Sequence, residues 1–441
     1  MVPAGLFAQN TTASILQDVF ALLAQARYDD AIILFDRIDQ AEAGTVQMRL
    51  LRASVLSSAG RMNEARAIAE AVSSENPNNT DALYILSTIE AVQGRSREQR
   101  ALLERIIGID NQHVDALTDL GRIYLEASQT RNAAQYFDRA LAVAPNNLDA
   151  LLGRARVYRL DRDPNRSEAL YNQAVSLYPN QADVYQERAR LYRGMGFPVQ
   201  ALADLDKAKS LDPYSYWIAI DRASTLLDMN RKEESFEEFQ RAVNIDPDFF
   251  LAYAYTAGMK DEFGDYDGAA KDYEALTKLN PEYPYGFEGL AFHKMRTGNW
   301  AEARDAFVET YRQLPDEWYY GILAGICWMK AVDQTAPRQY LTTAMNRQNR
   351  DSIEYFLYRL FYDLSGRVTA GENDMVLRAD RETNQETKAR ILFYLGYYYD
   401  IRGSQTLANR YFQQSRDLNQ RNIPEWRLNE WVLEARGLLP Y

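Results

Sequence analysis

The stretch that decides the fold is ALAVAPNNLDALLGRARVYRL, residues 140–160. Residues at helical spacing flank Pro145, which has no N–H and restricts the residue before it, so one helix stops there and another starts near Leu148. Stepping 34 residues from Pro145 reaches Pro179, Pro213, Pro247, Pro281 and Pro315, and two steps back lies Pro77, with Asn111 the one break. At ~5% proline usage, seven hits in eight places have a chance probability on the order of 10⁻⁸, so this register is a repeat. A second register agrees. Ala53, Ser87, Gly121, Ala155, Ala189, Ala223, Ala257, Ala291 and Gly325 are all small and all 34 apart.

Within one period, residues 114–147, Leu117, Leu120, Gly121 and Tyr124 make one stripe, and Ala133, Phe137 and Ala140 make a second beyond the break ASQTRN. The period therefore predicts two short amphipathic helices joined by a tight turn. Gly60, Gly94, Gly196, Gly264 and Gly298 fall at that turn, where a left-handed residue ends a helix. The small residues belong where helices cross at about 8–10 Å. Beside them, at place 24, stand Phe137, Tyr171, Leu205, Phe239, Tyr273, Phe307 and Leu341, a bulky wedge toward the next hairpin.

Leu at places 4 and 7, Gly or Ala at 8, Tyr at 11, Ala at 20, Phe at 24, Ala at 27 and Pro at 32 together resemble the tetratricopeptide repeat. Residues 114–147 match every place. Arg154, Arg188 and Arg222, which replace leucine at place 7, resemble a common version of that repeat. Gln99 and Pro337 at place 20, and Lys260 and Lys294 at place 11, depart from it. The register runs over residues 12–351 as ten units, followed by a degenerate helical pair at 352–388. The pattern returns at 389–422 with Leu392, Leu395, Gly396, Tyr399, Ala408 and Phe412. PEWRLNEWVLEAR, within the last segment 423–441, resembles a capping helix that shields the final apolar face. The resemblance implies an all-α fold, a right-handed α-solenoid superhelix of about twelve hairpins.

Length and composition fit an array. At 441 residues the chain exceeds what one core usually serves. Charged residues at 25%, with Gly 22 and Pro 14, exclude collagen-like and disordered classes. A net charge of −12 repels phosphate backbones, which argues against nucleic acid as a partner. No apolar run reaches the ~18–20 residues that span a bilayer, so the chain is expected not to cross a membrane. With one cysteine, Cys327, no intrachain disulfide can form, and its place between Ile326 and Trp328 reads as a packed, inert thiol. Residues 1–11, with Leu6-Phe7-Ala8 suited to a signal-peptidase site, read as the remnant of an export signal and a periplasmic or exported location. A frayed start on a cytoplasmic protein is the alternative.

No catalytic constellation emerges, so neither enzyme activity, cofactor nor metal is expected. His113 and His293 share no ligand spacing with each other or with Cys327 and read as surface residues. Asp261, Asp265 and Asp267 in DEFGDYDGAAKDYE lack the calcium-loop spacing and fall on an inter-helix turn. What remains is surface. By the resemblance, places 2, 5, 9 and 12 of each first helix line a concave groove, and their spacing does put them on one stripe. Over residues 114–215 this stripe is charged: Asp115, Asp149 and Asp183 at place 2, Arg122, Arg156 and Arg190 at place 9, Arg159 and Arg193 at place 12. Salt bridges to neighbouring aspartates are the first reading of these arginines, and a dedicated anion site the second.

Over residues 216–351 the stripe turns apolar, with Trp217, Ile220, Leu227, Leu251, Tyr285, Phe292, Met295, Tyr319, Ile322, Ile326 and Met329. An open stripe of this length marks a binding surface, unless the chain's own C-terminal helices bury it. A clamp for a chaperone C-terminus is not expected, because Arg stands where that clamp has Asn, and Thr118, Leu152 and Gln186 where it has Lys. The expected function is a non-enzymatic scaffold that holds a peptide or helix of a protein partner in the groove. The alternative is an envelope accessory protein, alongside a transporter, that takes a small hydrophobic ligand in the apolar groove of residues 216–351.

Overall fold

The computed structural model describes residues 12–331, 337–365 and 371–439, so the signal-like residues 1–11 lie outside the described part. The fold is an all-α solenoid of paired helices. Among the described residues there are 26 helices and no strand. The chain divides into two compact units, Met1–Pro213 and Tyr214–Tyr441.

In the first unit, first helices begin at Val46, Thr80, Val114, Leu148 and Ala182, and their partners at Met62, Ser96, Thr130, Pro164 and Pro198. Local chemistry sets these ends. Just before four of the first helices stand Thr45, Asn79, His113 and Asn147, whose side chains accept the backbone N–H three residues on. The expectation of a surface His113 is thereby corrected. It is a half-buried cap, with Nδ1 accepting from the Ala116 N–H at 3.2 Å and its ring 5.4 Å from Tyr84, because place 34 is a capping position. At the turn, Gly60, Gly94 and Gly196 have φ of 77°, 71° and 78°, and Ser128 and Arg162 hold the same place at 58° and 60° despite carrying side chains.

The proline linkers do more than end helices. Place 26 of the second helix reaches back to the linker before its own hairpin. Arg105 donates to the carbonyl of Pro77, Arg139 to Asn111 at 3.3 Å and Gln173 to Pro145 at 3.3 Å. Each clasp satisfies a carbonyl that the missing helical turn leaves open. The wedge at place 24 is also visible. Phe137 is buried against both Gly121 and Gly153, and a Cβ added at Gly121 would sit 2.7 Å from its Cε1. At place 20, Ser167 buries its hydroxyl by donating to the Ala155 carbonyl at 2.9 Å. The place-7 arginines pair with acids on second helices, Arg154 with Asp138 and Arg188 with Asp204, each at 2.7 Å.

The second unit opens with the hairpins Tyr216–Asp228/Lys232–Ile245, Phe250–Glu262/Tyr266–Leu279 and Pro284–Arg296/Trp300–Gln313. Beyond Tyr319 the packing changes. Helices Tyr319–Lys330, Ile353–Ser365, Gln385–Ile401 and Pro424–Ala435 share one large core, in which Ile322, Ile326, Leu357, Phe361, Tyr394, Leu428 and Trp431 meet. Two of these helices are apolar on all sides because they are surrounded: Tyr319–Met329 is buried except Trp328, and Ile391–Asp400 is buried throughout. Cys327 is fully enclosed, and burial pushes its thiol well above the ordinary range. No described helix is long and apolar enough to cross a membrane.

Candidate functional site

In the first unit, the place-9 and place-12 arginines surround a carboxylate that the sequence reading did not single out. Glu187, at place 6 of helix Ala182–Gly194, is buried among them. Arg156 Nε lies 2.9 Å from one oxygen, Arg190 Nη1 lies 2.6 Å from the other, and the Tyr171 hydroxyl donates at 3.4 Å. Burial pushes the Glu187 carboxyl up, but the charges of Arg156, Arg190 and Arg159 outweigh it and hold the group below the usual carboxylate range. Arg159 keeps a buried Nε without a hydrogen-bond partner among the described residues. Arg122 pairs with Asp119 at 3.0 Å and Glu126 at 3.7 Å, and Arg193 stands exposed at its helix end. Glu187 takes Arg156 and Arg190, and Asp119 and Glu126 take Arg122, whereas Asp115, Asp149 and Asp183 stay exposed at place 2. A one-turn offset explains the difference, because place 6 faces the arginine three residues on or in the preceding hairpin.

In the second unit the stripe splits in two. Trp217 is 46% exposed and Tyr285 53%, and Leu251 between them in register is exposed as well, so place 2 presents large apolar side chains on the first helices of three successive hairpins. Ile220 and Phe292 are half-buried beneath them. Tyr319 and Ile322, expected on the same open surface, are not there. Ile322 has no exposure and both belong to the core formed with the C-terminal helices. The sequence pattern of an apolar groove and of an apolar core is the same, and helices Ile353–Ser365, Gln385–Ile401 and Pro424–Ala435 make it a core.

Where the open and filled parts meet, a polar cluster lies in the groove. Asp261, at place 12 of helix Phe250–Glu262, is buried with Oδ1 2.7 Å from His293 Nε2, and its Oδ2 accepts from the Tyr273 hydroxyl at 3.1 Å. From the last helix, Arg427 donates to Oδ2 at 3.3 Å and to the Asp261 carbonyl at 3.1 Å. Trp431, one turn further on, packs 5.4 Å from both the His293 and the Tyr266 rings. Helix Pro424–Ala435 thus closes the last hairpin and also lies on helix Pro284–Arg296. The expectation of a surface His293 is corrected: it is 2% exposed, since this helix covers the face that an isolated hairpin would leave open. Asp265 instead caps helix Tyr266–Leu279 through the Gly268 N–H, and Asp267 pairs with Arg296 at 2.9 Å, so the three aspartates of that turn point to separate tasks.

A cavity of about 440 Å³ remains beside the cluster, lined by Tyr283, Tyr285, Glu288, Phe292, His293 and Arg427 among others. Glu288 occupies place 5 of the same stripe, one turn from both Tyr285 and Phe292. Its Oε1 accepts from Tyr320 at 2.7 Å. Sequence reasoning passed over Glu288 and Asp261 as groove residues although register alone puts them at places 5 and 12. Arg427 carried no such signal, being 166 residues away and outside the repeat.

The family model described as a tetratricopeptide repeat matches residues 22–89, and that described as the ETO1 C-terminal domain matches residues 96–298. No curated protein matches the sequence. Among solved structures, the chain is similar to a tetratricopeptide repeat protein from Parabacteroides merdae, 18% identical over 56% of this chain and 98% of that one, with a TM-score of 0.44. It is also similar to pilF of Pseudomonas aeruginosa, 18% identical over 47% of this chain and 94% of that one, TM-score 0.42. A repeat protein of Thermus thermophilus is 24% identical over 42% of this chain and 100% of that one, TM-score 0.37. Residues 22–89 thus belong to the tetratricopeptide-repeat family, and helix pairs keep returning at the same 34-residue spacing beyond them.

Proposed function

We propose that the chain is a non-enzymatic scaffold that binds an extended segment of a protein partner along the open part of the second unit's groove. Tetratricopeptide repeats generally serve protein–protein interaction. The observation that carries the reading here is the row Trp217, Leu251 and Tyr285, large apolar side chains left exposed at one repeat place on the first helices of three successive hairpins. Such a row at constant spacing suits an extended chain, whose own side chains recur at fixed intervals. The array is ordered before binding, so only the ligand loses conformational freedom.

The arginine cluster of the first unit enters as a pre-paired surface. Reversing Arg156 and Arg190 would strand Glu187 as well as change the groove, so the decisive variants are those of the exposed row. Full-length chain is panned against a library of random extended peptides, and enriched sequences are measured against the single variants Trp217→Ala and Leu251→Ala. Each substitution is expected to weaken binding by about tenfold or more, as interface aromatic and aliphatic anchors do. Enrichment of no peptide, or affinities indifferent to both substitutions, would remove the reading.

A further inference from the structure

We infer that the cavity around Glu288 is a receptor for one basic side chain, ammonium or guanidinium, of the bound segment. Glu288 sits in the groove stripe with tyrosine and phenylalanine on either side, at places 2 and 9, and Tyr283 at the start of the same helix. Tyr283 and Tyr285 meet edge to face, with ring centroids 5.5 Å apart, and leave an aromatic wall on the cavity. Burial pushes the Glu288 carboxyl above its ordinary range; the Tyr320 hydrogen bond lowers it only in part, and no cation does so. Among the described residues no Lys, Arg or His forms an ion pair with it. The two arginines on the same cavity are engaged elsewhere: Arg427 holds Asp261, and Arg421 donates to Asn419 at 3.0 Å and lies over Trp426. A half-buried carboxylate without a counter-charge is an incomplete ion pair.

What would complete it is defined by its surroundings. An N–H-bearing cation gains the Glu288 carboxylate and the negative faces of the tyrosine rings together, whereas an anion gains neither and an apolar group leaves the carboxylate dry and unpaired. A second polar side chain lies on the same cavity. His293 is enclosed with Nε2 2.7 Å from Asp261 Oδ1, and its Nδ1 has no hydrogen-bond partner among the described residues. Elsewhere in the open row, at places 2 and 5, the groove shows only Trp217, Ile220, Leu251 and Ala254, so this is where a basic residue would fix the register of an otherwise apolar contact.

The inference rests on the groove reading in that the segment brings the cation, and the test separates the two. Capped arginine amide, capped lysine amide and capped norleucine amide are titrated into the full chain, followed by NMR, alongside Glu288→Gln with its fold checked by circular dichroism. Both cations are expected to bind about tenfold more tightly than norleucine, to weaken with salt, and to lose that margin in Glu288→Gln. Equal binding of norleucine, or cation binding unchanged in the variant, overturns the receptor. Peptides enriched on the groove without any basic preference would overturn it too, while leaving the groove reading intact. Cation binding by capped amino acids with no peptide enriched would support the receptor and remove the scaffold reading.

Discussion

Arg427 Nη1 donates to Asp261 Oδ2 at 3.3 Å, joining residues 166 apart in sequence and pinning the last helix into the groove of the second unit. The guanidinium is partly exposed while the carboxylate is buried, so the pair is asymmetric: removing the arginine leaves the more enclosed partner short of a donor. Arg427→Ala is expected to lower stability by about 1–2 kcal/mol and to speed amide exchange over residues 424–435. In the double variant with Asp261→Asn the two losses should add to less than their sum. Strict additivity would mean that the contact does not hold the helix.

The cluster around Glu187 gives a pH signature. Its folded carboxyl lies below the ordinary value because Arg156, Arg190 and Arg159 prevail over burial. The stabilisation is therefore complete above the unfolded glutamate value of about 4.3 and is lost as pH falls from there through the lower folded value. Glu187→Gln should cost about 1–3 kcal/mol near neutrality, with the difference from wild type shrinking below about pH 4.3. Urea titrations at a series of pH values measure it, and a gap that widens on acidification would contradict the assignment.

The wedge can be tested from its small side. Gly153 has no room for a methyl group beside the Phe137 ring. Gly153→Ala should destabilise by about 1–3 kcal/mol through overpacking, and Phe137→Leu in the same chain should recover part of that loss. The opposite operation, Phe239→Ala at the equivalent place, empties a site whose ring is fully buried and stacked 4.4 Å from Tyr255. It should cost about 3–5 kcal/mol by chemical denaturation.

At the turn, Arg162 holds φ of 60° where three other hairpins of its unit carry glycine. A side chain in this left-handed conformation is strained, and glycine relieves it without disturbing a contact. Arg162→Gly is expected to raise stability by about 0.5–1 kcal/mol, read as a higher urea midpoint with an unchanged slope.

The repeat was readable in the sequence because proline and small residues act locally: Pro145 ends a helix wherever it stands, and Gly121 admits a crossing helix by its own lack of a side chain. The groove was readable only where register decides. Trp217 and Tyr285 are exposed as their place implies, whereas Tyr319 and Ile322, identical in pattern, are covered by helices whose docking no local rule encodes. His293 shows the same division, since its burial depends on Trp431 and on Arg427 beside it, both far along the chain. Glu288 and Asp261 stood in register and were legible as groove carboxylates, whereas their partners Tyr320 and Arg427 come from helices that local register does not place beside them.

The linker clasps all point toward the N-terminus: Arg105, Arg139 and Gln173 each reach a carbonyl 28 residues earlier, never one still to come. A nascent chain leaving the ribosome therefore finds each acceptor already synthesised when its donor emerges. In these three hairpins the second helix, once made, ties down the linker that precedes its own hairpin, and vectorial synthesis and the direction of bonding coincide.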